Sequence, residues 1–224
     1  MCANSCKVLR WQARISKSRN WEFSLDELET LLASEEKVRL IVVNFPHNPT
    51  GAYLTPDEWT RLVGLCKAKD CYLFSDEMYL GLTHNTDGPP DVPPSAVQRY
   101  EKAVALSGMS KVYNMPGIRI GWLTTRNAEA FDLLACQHDY GTICAAAPSE
   151  ILALIALRAG AKLRAKNVAV IKVATDRRLS LPVSIFVHAY SFCRWCMPYI
   201  HSKHVTGKYS NMEGLCSAVC GQSM

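Results

Sequence analysis

The strongest constraint on the fold is the segment Val38 to Phe45, VRLIVVNF, an almost unbroken apolar run. A half-exposed strand alternates apolar and polar residues, so a continuous run predicts a strand covered on both faces, as in a parallel sheet. Two shorter runs follow, Cys71-Tyr72-Leu73-Phe74 and Ala103-Val104-Ala105-Leu106, and Ile118 to Thr124 reads as a fourth strand. Helix signals surround and separate these runs. Ser24 with Glu27 three residues on opens a short helix carrying Leu25, Leu28, Leu31 and Leu32 at helical spacing. Thr55-Pro56-Asp57-Glu58 forms a second start, with Trp59, Leu62, Val63 and Cys66 turned inward. Further helices are expected over Ala128 to Gln137 and from Pro148-Ser149-Glu150, the latter continuing past Gly160 towards Lys172. Strands alternating with helices through short connections define an α/β fold: a mostly parallel sheet sandwiched by helices.

In such sheets ligands collect outside the carboxyl ends of the strands. Asn48, Asp76 and Lys111 each fall just past a strand end, so three separate loops carry polar groups to one edge. Lys111 closes the small-residue turn Ser107-Gly108-Met109-Ser110-Lys111, where an amine can be presented with little backbone crowding. Arg119 lies eight residues on, spaced to reach a neighbouring anion. That pair suits a lysine that holds a phosphate-bearing aldehyde as a Schiff base. An arginine within an apolar strand is costly unless it meets a buried anion, which points the same way.

Composition excludes several other classes. Hydrophobic residues are 49% and charged residues 20% of the 224, ordinary for a globular chain. The net charge of +5 comes from dispersed basic residues, densest at Arg10, Arg14, Lys17 and Arg19, so no nucleic-acid partner is expected. No run reaches the roughly 20 apolar residues of a membrane span, and no leader-like stretch opens the chain, which implies a soluble, cytoplasmic protein. Ten cysteines are then expected reduced and buried, Cys66 and Cys136 among them, because their neighbours are apolar.

Asn48-Pro49-Thr50-Gly51, Ser75-Asp76-Glu77-Met78-Tyr79 and the Lys111 to Gly121 segment, in this order, resemble class I/II aminotransferases, the fold-type-I pyridoxal-phosphate enzymes. The resemblance covers roughly Ser24 to Arg158. It implies that Lys111 is the catalytic amine and that Asp76 faces the pyridine nitrogen of pyridoxal 5'-phosphate. It also implies that Asn48 and Tyr79 donate to the cofactor's phenolate oxygen and that Arg119, with Ser107 or Ser110, holds its phosphate. The substrates implied are an amino acid and a 2-oxo acid, and the assembly a homodimer. The same cofactor serves lyases and decarboxylases, and an inactive aminotransferase-like fragment is a further alternative.

Departures from the family pattern lie at both ends of the chain and in the lysine turn. A glycine-containing phosphate loop and a ring-stacking aromatic are not visible before Val38, so residues 1–37 read as a partial N-terminal segment. Gly108 stands where the family often has serine. Residues 38–174 are assigned to the cofactor-binding large domain and 175–224 to a divergent, poorly ordered tail, with the small domain incomplete. The tail holds Cys193, Cys196, Cys216 and Cys220 near His188, His201 and His204, but the second pair lacks zinc-knuckle glycines, and no metal site is assigned.

Overall fold

The computed structural model describes residues 7–16, 20–82 and 93–179. The loop Asp87 to Ser95 falls mostly outside the described residues, and the Cys/His-bearing tail lies wholly outside them. A four-stranded sheet runs in chain order β3 (Leu40–Asn44), β4 (Tyr72–Asp76), β5 (Ala103–Gly108), β6 (Gly121–Thr125). β3, β4 and β5 are mutually parallel and β6 pairs antiparallel with β5. A two-stranded antiparallel hairpin, β1 (Ala13–Ser16) and β2 (Asn20–Phe23), precedes them. That hairpin has no periodic signature in the sequence. Trp11 pins it by donating Nε1–H to Ser24 O at 2.7 Å, and Arg14 grips Glu27 through two bonds of 2.9 and 3.0 Å.

Helix α1 (Leu25–Ala33) starts at Ser24, whose hydroxyl accepts from Glu27 N, as the sequence indicates. Helix α2 (Pro56–Ala68) opens on a complete capping box between Thr55 and Glu58. Thr55→Ala is expected to lower stability by about 1 kcal/mol, read from the urea midpoint at unchanged m-value. A short helix α3 (Ala96–Arg99), which the sequence reading misses, precedes β5. The helix expected to run through Gly160 is two: α5 (Ala147–Arg158) and α6 (Gly160–Leu179), parted at Ala159, after α4 (Ala128–Gly141). α6 runs through position 175 to Leu179 without a break there. None of the described helices is long and apolar enough to cross a membrane.

The main core joins α1, α2 and α3 to one face of the sheet, with Leu28, Leu62, Cys66, Leu73 and Ala105 all buried. Cross-strand register places Leu40, Val42 and Leu123 on the opposite face, where they stay 51%, 63% and 45% exposed. The expected sandwich is therefore only partly closed among the described residues. Cys66 and Cys71 are buried free thiols, but Cys136 and Cys144 are exposed, which corrects the expectation for them: apolar chain neighbours do not bury a residue where α4 and the turn after it lie open to solvent.

Candidate functional site

Parallel pairing brings the carboxyl ends of β3, β4 and β5 to one edge, and the antiparallel return of β6 starts from that edge at Gly121, opposite Gly108. A Cβ on Gly108 would lie 3.0 Å from Ile120 O and 3.1 Å from Gly121 Cα, so this close approach requires glycine. Five of the six singled-out residues sit in the last two positions of a strand or on the loop that follows. Asp76 ends β4, Ser107 is the penultimate residue of β5, and Lys111, Asn48 and Tyr79 lie three or four residues beyond the ends of β5, β3 and β4.

Three of these side chains meet. Asn48 Nδ2 donates to the Tyr79 hydroxyl at 3.3 Å, and Lys111 Nζ stands 5.7 Å from the Tyr79 ring centroid. Tyr79 is buried with Leu82 and Val112, Lys111 is half-buried, and Asn48 is exposed. The lysine turn is held from both sides. Met109 is fully buried and its N–H donates to Ile120 O, while Asn167 Nδ2 of α6 donates to Val112 O at 2.8 Å. Asp76 is half-buried and uses Oδ1 to accept from Met78 N at 3.1 Å, shaping the turn that leads to Tyr79. It shares the less covered sheet face with Asn44, its register partner.

Arg119 corrects one expectation. It is not in a strand. Pro116 opens a 3-10 turn (Pro116–Ile118), the chain passes Arg119 at φ +56°, and β6 begins only at Gly121. Its side chain is exposed and donates Nη1–H to Pro116 O at 2.8 Å. Position 119 nevertheless remains two residues from Gly121, at the same sheet edge as Lys111. Ser107 is half-buried and faces Trp122 across the β5–β6 ladder.

Two further residues shape this edge and escaped the sequence reading. Asn44 Oδ1 accepts from Asn48 N at 2.7 Å, and His47 Nδ1 lies 2.7 Å from Thr50 Oγ1. The available signal was a polar strand end followed by His and Thr three residues apart in a turn. A cavity of about 340 Å³ lined by Lys67, Asp70, Arg99, Tyr100, Glu101 and Lys102 sits at the other end of the strands and includes none of these groups.

Residues 1–172 match the family described as aminotransferase class I and II, and the chain belongs to that family. It is 34% identical over 133 residues to capreomycidine synthase of Streptomyces vinaceus, covering 59% of this chain and 32% of that protein. It is 31% identical over 140 residues to an aspartate aminotransferase of Thermotoga maritima, covering 62% and 36%. A PLP-dependent aminotransferase from Streptococcus suis superposes with a TM-score of 0.60 at 30% identity, over 70% of this chain and 40% of that one. The chain thus spans about a third of the length of the curated relatives it matches. Its fold is the mostly parallel, helix-flanked sheet that these solved structures share.

Proposed function

We propose that this chain carries the pyridoxal-phosphate site of an aminotransferase that moves an amino group from an amino acid to a 2-oxo acid. The observation that carries the reading is the convergence of Lys111, Tyr79 and Asn48 at the strand edge that Asp76 closes. The donor set fits the cofactor. Tyr79 accepts from Asn48, so its own hydroxyl proton stays free to be donated, and Asn48 Nδ2 keeps a second N–H. Two donors 3.3 Å apart can grip a single anionic oxygen.

Pyridoxal phosphate, when bound, supplies an aldehyde that condenses with amines and a protonated ring that takes up the electron pair released at the substrate α-carbon. Lys111 Nζ is the amine that would attach it and, once displaced by the substrate amine, would take the α-proton and return it to the cofactor carbon. The Asp76 carboxylate would hold the proton on the ring nitrogen. Asn48 and Tyr79 would orient the ring through its phenolic oxygen. Arg119 and Ser107 would hold the phosphate, Arg119 by exchanging its bond to Pro116 O for a charge-assisted pair.

In this reading the protein is cytoplasmic, serves amino-acid biosynthesis and works as a homodimer. Ile151, Leu154 and Ile155, exposed on α5 while Ala153 and Ala156 are buried, support such an interface. The test is the visible spectrum of the purified chain with pyridoxal phosphate. A band near ~420 nm is expected, absent in Lys111→Ala and bleached by borohydride as the cofactor becomes fixed to the chain. Equal spectra for the two proteins would refute the assignment of Lys111.

A further inference from the structure

Asn48 is exposed, and its side chain holds Tyr79 by one long hydrogen bond. A side chain so lightly tethered points the right way only if its backbone is fixed. The fixing bonds lie in the turn 47–52. His47 N donates to Ala52 O at 2.9 Å, and Gly51 N donates to His47 O at 2.7 Å with Gly51 at φ +75°. Asn48 N is anchored on Asn44 Oδ1. Within the turn Thr50 Oγ1 lies 2.7 Å from His47 Nδ1 and accepts from Ala52 N at 3.2 Å, so one hydroxyl braces both ends. The imidazole is half-buried, packed edge-on against Phe23 of β2 with ring centroids 4.9 Å apart.

From this geometry we infer that His47 is a positioning residue for the cofactor site: acting through Thr50, it holds the turn that presents Asn48 to Tyr79. The inference rests on the functional reading above only for its consequence at the cofactor. Thr50 Oγ1 has two lone pairs and one proton, so while accepting from Ala52 N it pairs with His47 Nδ1 in either tautomer of the ring. Burial holds the ring below the ordinary imidazole range, in keeping with a neutral ring. The Phe23 contact also fastens the β1–β2 hairpin, which contributes no cofactor group, to the turn that does.

The first arm of the test needs no cofactor. In the full chain with 13C-labelled tyrosine, the Tyr79 Cζ resonance (identified by its loss in Tyr79→Phe) reports the hydrogen bond from Asn48. His47→Phe keeps a ring against Phe23 but loses the nitrogen that bonds Thr50, and it is expected to move that resonance to its position in Asn48→Ala. His47→Asn puts a hydrogen-bonding amide back near the Nδ1 position and is expected to restore it. The second arm measures pyridoxal-phosphate affinity, expected to weaken about fivefold or more in His47→Phe and less than about twofold in His47→Asn. A Tyr79 resonance unmoved by His47→Phe, where Asn48→Ala does move it, overturns the inference. Should His47→Phe not fold, Thr50→Val removes the same bond with the ring in place and carries the same expectation. A wild-type chain that takes up no pyridoxal phosphate refutes the functional reading, and the Tyr79 arm still decides the role of His47.

Discussion

Asp76→Asn is expected to lower the rate of amino transfer by roughly 10³-fold or more, about 4 kcal/mol in the barrier, while leaving the fold intact. The substitution separates two duties of one side chain. Asp76 Oδ1 accepts from Met78 N and so sets the turn towards Tyr79. An amide oxygen can accept the same bond, so the turn persists. The negative charge does not. In the proposed site that charge is what would keep the cofactor's ring nitrogen protonated, so its loss would remove most of the ring's electron-withdrawing capacity. Single-turnover conversion of a loaded amino acid gives the rate, and far-UV circular dichroism with the urea midpoint gives the fold. A parallel loss of both would make Asp76 a turn residue only.

The largest structural effect is expected at Trp59. Its side chain is 2% exposed and lies on α2 between Phe45 and Tyr53, with ring centroids 6.0 and 6.3 Å away. The Arg99 guanidinium covers its face at 5.5 Å. Trp59→Ala removes the largest fully buried side chain described and leaves a cavity that α2, α3 and the β3 exit cannot all collapse into. The expected cost is about 3–5 kcal/mol, a large share of the stability of an ordinary domain. Urea unfolding followed by circular dichroism measures it, and a cost under about 1 kcal/mol would mean that the cluster repacks around the gap.

Local physics made much of this molecule legible. The caps at Ser24 and Thr55 and the apolar runs of β3 to β5 are short-range signals, and each lies where the sequence places it. The same runs ordered the strand ends and so gathered Asn48, Asp76 and Lys111. Features that depend on distant partners were hidden. The β1–β2 hairpin owes its place to Trp11 on Ser24 O and Arg14 on Glu27, contacts that carry no periodicity. At Gly117-Ile118-Arg119-Ile120-Gly121 the alternation imitates a strand, yet Pro116 and the positive φ of Arg119 turn the chain before pairing begins. His47 needed Phe23, from a segment that reads as featureless, before its role could be seen.

The bond from Asn167 to Val112 O fastens α6 one residue away from Lys111. α6 carries the chain out of this sheet and on towards residue 180. Tilting that helix therefore means either breaking the bond or dragging the lysine turn along. With Val168 and Ile171 also packed on the Tyr79, Leu82 and Val112 cluster, the position of α6 and the position of the Lys111 amine are tied together.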